Sequence, residues 1–219
     1  LRAIRKRGRC TDPSVVRAAD TLGRMLLPSM TIAREKMAHV ARFTLQLALE
    51  YGWTASTGSG FIAWALHRAG ERDAGPWVRP YVESAEAIAV ESGDPVAIHS
   101  LRMLSTAFGL HWYAPYPRFI ARMAQLAEGG RREGNWEYVA HCIHLHDQAL
   151  LYRGAPLPTV LDALQTSRQE IQQFGLPRID NALAKFHQAT EVLAGLTADP
   201  VRLDGRILNE EEYHQSIVD

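Results

Sequence analysis

Seven consecutive residues, HCIHLHD, gather His141, Cys142, His144, His146 and Asp147, the densest set of metal ligands and proton carriers in the chain. Zinc takes imidazole nitrogen, thiolate sulfur or carboxylate oxygen, and a structural site closes a tetrahedron of four such groups. The apolar spacing around this run predicts a helix, on which His141 and His144 share one face while Cys142 and His146 share another. No single face then presents three ligands. A metal-dependent enzyme would need a further ligand from another helix. The competing reading is a half-buried seam whose histidines are satisfied by each other or by backbone groups. No metal and no cofactor is assigned.

Other chemistry-bearing patterns are sparse. TGSG, with Gly58 and Gly60, lacks the GxxxxGK[ST] lysine of a phosphate loop, so its glycines point to close helix packing instead. There is no H-E-x-x-H, no G-x-S-x-G elbow and no framed pair of carboxylates, so no catalytic residue is expected in this segment. Trp53, Trp77, Trp112, Tyr113, Trp136 and Tyr138 fall near expected helix starts and turns, where packing is their default role.

The elements that must position these residues follow a repeat. Gly52, Gly93, Gly134 and Gly175 are spaced 41 residues apart, and such a period is the mark of stacked helix pairs. The expected fold is all-α, a right-handed α-solenoid of stacked antiparallel helix pairs, tetratricopeptide-like. A half-unit spans 11–52, full repeats span 53–93, 94–134 and 135–175, and a partial repeat spans 176–219. Thr11 or Asp12 followed by Pro13 starts a helix to about Leu27, which Pro28 breaks. Asp94 with Pro95 starts another, Pro115 and Pro117 separate two more, and Asn209 caps a last one with Glu210 to Glu212 in its first turn. One position has a shared offset, twelve residues beyond each glycine: Trp64, Ser105, His146 and His187. In register these four form a column, either a recognition groove for an extended partner or ordinary interhelix packing.

Composition agrees with a folded, water-exposed helical protein. The 219 residues are 47% hydrophobic and 22% charged, with 24 basic residues balancing 24 acidic ones. No global field therefore directs the chain to nucleic acid or an anionic membrane. The run RAIRKRGR, with Arg2, Arg5, Lys6, Arg7 and Arg9, reads as a basic arm or as a solvated helix end. Cys10 and Cys142 are too few for a disulfide framework, no apolar run reaches the length of a membrane span, and no signal peptide pattern opens the chain. A cytoplasmic location is expected. The start in mid-pattern without an initiator Met reads as a fragment of a longer chain, whose cut ends would expose apolar surface and favour self-association.

TDPSVVRAADTLGRML, LALEYG, HWYAPYPRFIARMAQLAEGGRREGNWEYVAHC, LLYRGAPLPTV and PVRLDGRILNEEEY, in that order and spacing, resemble landmarks in the long helical region of very large bacterial signalling proteins. Those proteins combine a serine/threonine-kinase-like domain and an AAA-type ATPase with this region, often followed by GAF and histidine-kinase domains. The resemblance covers nearly the whole chain. It implies a non-catalytic scaffold whose partners are proteins or neighbouring domains, with kinase and ATPase activities lying elsewhere. A second expectation is an effector-sensing superhelical arm of an ATP-dependent transcription regulator.

Overall fold

The computed structural model describes residues 2–32, 34–69 and 74–218. Among them the chain forms eleven α-helices and one 3-10 turn, with β structure limited to an isolated bridge between Arg9 and Trp53. The protein is all-α. No described helix is both long and apolar enough to cross a membrane. The helices group into two compact units, Leu1–Pro115 and Tyr116–Asp219. Their boundary falls inside the expected repeat 94–134, at the Pro115 and Pro117 turn.

The first unit contains α1 (Arg2–Arg7), α2 (Pro13–Ile32), α3 (Arg34–Tyr51), α4 (Thr57–Ala69), α5 (Ala74–Ser92), α6 (Pro95–Phe108) and the 3-10 turn Leu110–Trp112. Asp12 starts α2: its Oδ1 accepts from the Ser14 amide at 2.8 Å and from the Ser14 hydroxyl at 2.6 Å. The helix does not stop at Leu27 but runs through Pro28 to Ile32. An internal proline costs roughly 3 kcal/mol through its missing N–H and steric clash. Helix α2 packs along α3 and α4, the tertiary contacts available to set against that penalty.

The basic run is not a free arm. It forms α1, whose Ile4 enters the core beside Ala48, Trp53 and Phe61, while Arg5 pairs with Glu91 at 3.1 Å. The following backbone locks onto the turn after α3, with Trp53 N donating to Gly8 O and Cys10 N to Trp53 O, both at 2.9 Å. Gly52 is required twice over at this junction. Its φ is +98°, and a Cβ there would lie 2.6 Å from Gly8 O.

Helix α4 organises this unit by packing against α2, α3, α5 and α6. Its sequence, TGSGFIAWALHRA, is apolar nearly all round, as a surrounded helix must be. Gly58 admits Leu101 of α6 and Gly60 admits Thr44 of α3, since a Cβ would come within 2.5 Å of Leu101 Cδ1 or 2.9 Å of Thr44 Cγ2. The TGSG run is thus a packing surface.

The second unit contains α7 (Tyr116–Glu133), α8 (Trp136–Tyr152), α9 (Leu157–Gln173), α10 (Pro177–Leu193) and α11 (Glu210–Val218). Met123, Val139, Val160, Leu164, Ile171 and Leu183 form its buried centre. Across it Arg131 of α7 grips Glu170 of α9 with Nε and Nη2 at 2.8 and 2.9 Å, and Trp136 stacks on Phe174 at 5.0 Å. Gly52, Gly93, Gly134 and Gly175 follow α3, α5, α7 and α9 with φ of +98°, +70°, +70° and +66°. A second pair, Gly154 and Gly195, follows α8 and α10 with φ of +75° and +70° at the same spacing.

Two adjacent glycines of α7 should behave oppositely. A Cβ at Gly130 would sit 2.7 Å from Tyr138 Cδ1 and 2.8 Å from Val139 Cγ2, whereas at Gly129 nothing lies within 4 Å. Gly130→Ala is expected to destabilise by about 1–3 kcal/mol through overpacking, and Gly129→Ala to stabilise by up to about 1 kcal/mol through helix propensity. Urea denaturation of the two variants against the parent chain checks the opposite signs.

Candidate functional site

The HCIHLHD run lies on α8, and its side chains diverge. Cys142 is fully buried, and burial pushes its thiol up to about 12 against weaker opposing effects of a Tyr138 hydrogen bond and the Arg131 charge. A thiol so held is neither nucleophile nor metal ligand at neutral pH. His144 turns toward α10, its ring 5.8 Å from that of Phe186, and Gln148 Nε2 donates to His144 Nε2 at 2.7 Å. His146 Nδ1 donates to Asp147 Oδ1 at 2.9 Å, with Asp147 only 2% exposed. His141 is held below the usual histidine range by burial, partly opposed by Glu137. Among the described residues no three His, Cys, Asp or Glu side chains converge as metal ligands. Within the seam His144 is satisfied by Gln148 and His146 by Asp147 rather than by each other.

Burial divides the four residues of the expected column. Trp64 on α4 is half-buried, packs on the Leu26, Met37 and Ala41 cluster, and lies 5.4 Å from the His67 ring. Ser105 on α6 has no exposure, so it cannot line an accessible groove. His146 keeps 28% side-chain exposure on α8. His187 on α10 is 3% exposed. Helices α8 and α10 pack together, yet His146 and His187 look in different directions, one to Asp147 and the other toward α9 and the loop after α10. The shared offset puts Ser105, His146 and His187 at the eleventh residue of α6, α8 and α10 but Trp64 at the eighth of α4, and it does not decide which faces are covered.

That loop builds a polar site in the second unit. On α10, His187, Gln188, Thr190 and Glu191 are all buried, an unusual density of polar groups for an inward face. The loop meets them. Arg206 pairs with Glu191 at 2.7 Å, Ile207 N donates to Gln188 Oε1 at 3.3 Å, and Gly205 lies so close to the Gln188 amide that any Cβ would collide with it. Asp204 Oδ1 accepts from Glu210 N at 2.8 Å, which anchors the start of α11 to the same loop. Between this loop, α9 and His187 lies a cleft of about 190 Å³ lined by Gln165, Arg168, Gln169, Gln172, His187, Arg206 and Ile207. Arg168 is fixed from behind by Asp180, with Nε at 2.8 Å from Oδ1. His187 Nδ1 is buried without a hydrogen-bond partner. Burial, with Arg168 and Arg206 adding to it and Glu191 opposing, keeps this imidazole below its ordinary range and neutral.

Of these lining residues the sequence reading singled out only His187. The exposed glutamines at 165, 169 and 172 recur at helical spacing on one face of α9 and were a legible sign of a polar wall. Nothing local announces that residues 204–207 fold back over it. Compared with family models, with characterised proteins and with solved structures, the chain matches none.

Histidine burial gives the molecule a definite acid response. Burial lowers His144 from its ordinary 6.5 to about 4, with His141 and Lys185 adding and Asp147 opposing. Above pH 6.5 this group is neutral folded and unfolded, and it contributes no slope. Between 6.5 and about 4 the unfolded chain binds a proton that the folded chain refuses, so stability falls as pH falls; below about 4 the slope ends. The loss from this residue is roughly 2–3 kcal/mol. Urea midpoints at pH 7.5, 5.5 and 4.5 should show a smaller decline in His144→Gln than in the parent, and parallel declines would contradict the assignment.

Proposed function

We propose that this chain is a non-catalytic helical-repeat scaffold mediating protein–protein or interdomain contacts in a bacterial signal-transduction protein of the ATPase and kinase class. In this reading its helix pairs form a right-handed, tetratricopeptide-like solenoid with a period of about 41 residues. The observation that carries it is the recurrence of left-handed glycines after α3, α5, α7 and α9, echoed after α8 and α10. Left-handed glycines at equal intervals support a chain of equivalent units, and stacked units offer an extended surface to partners. The order of motifs that resembles the helical region of kinase and AAA-type ATPase signalling proteins supplies the biological setting. A cytoplasmic location and a tendency of the isolated chain to self-associate belong to the same proposal.

The polar cleft beside His187 favours a second reading, an effector-sensing arm of an ATP-dependent transcription regulator. Coding sequence on either side separates the two. Kinase-like and AAA-type modules with a downstream histidine kinase support the scaffold, and a downstream helix-turn-helix supports the sensor.

For the scaffold, Trp64→Ala and His146→Ala test the two accessible positions of the column. Each should weaken binding to an adjoining domain supplied in trans by about tenfold, or about 1.4 kcal/mol, beyond any fall in Tm that comes from unpacking Trp64 or unpairing Asp147. Calorimetric titration alongside thermal melts reads both quantities. Lower Tm with unchanged affinity would mean that these side chains only pack.

A further inference from the structure

We propose that the cleft between α9, His187 and the 204–207 loop is a binding site for a small oxyanion, a carboxylate or a phosphate carried on few carbons. Two guanidinium groups, Arg168 and Arg206, stand in its lining, and no carboxylate does. The acids that hold them lie behind. Asp180 takes Arg168 Nε at 2.8 Å and Nη2 at 3.3 Å, and buried Glu191 takes Arg206 Nε and Nη2, both at 2.7 Å. Each guanidinium carries five N–H donors, so both keep donors for a ligand after these bonds are made. Held forks of this kind match carboxylate and phosphate oxygens and lose little freedom on binding.

The remaining lining fits the same ligand. Gln165, Gln169 and Gln172 present amides from one helical face, and Gln172 Nε2 also steadies Asp180 at 3.0 Å. His187, 3% exposed with an unpartnered Nδ1, is a buried polar group whose desolvation nothing in the fold offsets. His187 gives its ring to the cleft wall, while its Nδ1 is closed off from solvent. The cleft, of about 190 Å³, has room for a phosphate or a short dicarboxylate.

The proposal stands apart from the scaffold reading. It holds if no protein partner is found, and it fails alone if no anion binds. The 219-residue chain, labelled with ¹⁵N, is titrated with sodium phosphate and separately with sodium succinate, against sodium chloride at equal ionic strength. Saturable shifts are expected in the side-chain amides of Gln165, Gln169 and Gln172 and in the backbone of His187 and 205–207. Response to phosphate alone or to succinate alone identifies the source of the oxyanion, and response to both assigns the site to the shared chemistry. Arg206→Gln should raise the apparent Kd at least tenfold. If leaving Glu191 unpaired prevents that variant from folding, Gln169→Leu at an exposed position should weaken binding at least threefold without loss of fold. Shifts no larger than with chloride, shifts centred on the basic residues of α1, or affinity unchanged in the folded variants would overturn the site.

Discussion

Reversal of the chain within a few residues at the turns between α3 and α10 is the constraint on which the other features depend. At Gly134 the solution is complete. Gly134 N donates to Arg131 O at 3.2 Å and Asn135 N to Gly130 O at 3.0 Å, the paired bonds of a left-handed helix stop. Asn135 then accepts from Tyr138 N at 3.3 Å, so the dipeptide that ends α7 also begins α8. Between α5 and α6 Gly93 N donates to Val90 O at 3.2 Å, Ser92 Oγ stands between Asp94 N and Ala89 O, and Asp94 Oδ1 accepts from Val96 N at 2.9 Å. An L-residue in that backbone conformation costs about 1–2 kcal/mol and a lost cap about 1 kcal/mol more. Such sums are comparable to a good part of a domain's net stability. The directions of α7 and α8, and hence which of their faces meet, are therefore set by two residues.

A second balance operates at α10. Burying Glu191 without a partner would cost several kcal/mol, far more than any local propensity. The loop before α11 answers that cost with Arg206, and it answers Gln188 with the Ile207 amide. The loop is irregular in backbone and yet closely specified, because the polar face it covers can be satisfied only from above. Gly205 belongs to the same arrangement, since only a residue without a side chain lets the backbone come that near the Gln188 amide.

Much of this was legible in the residues. Glycine spacing, the Asp12 and Asp94 caps and the two prolines near residue 116 carry local physics, and local physics survives folding. Pro28 was misread because its penalty is local while its compensation, packing along α3 and α4, is tertiary. Of the two readings of the basic run the solvated helix end holds, and what its charges conceal is the one apolar residue, Ile4, that anchors it. The column of Trp64, Ser105, His146 and His187 shows the limit most clearly. The repeat offset puts Ser105, His146 and His187 at the same place along their helices, but Ser105 lost its exposure to neighbours that the offset does not encode. The cleft beside His187 was hidden for the same reason, since Arg206 and Ile207 come to it from a loop with no periodic signal.

The sulfur atoms offer a last consequence. Cys10 is 6% exposed and Cys142 has no exposure, while Met25 is 50% exposed. An oxidant in the surrounding water therefore meets a thioether before it meets a thiol, and the lesion it leaves is methionine sulfoxide, which methionine sulfoxide reductases reverse. Damage of that kind falls on the rim of α2 and leaves the packed interior untouched. The fold thus keeps its less forgiving sulfur chemistry out of reach for as long as it stays folded.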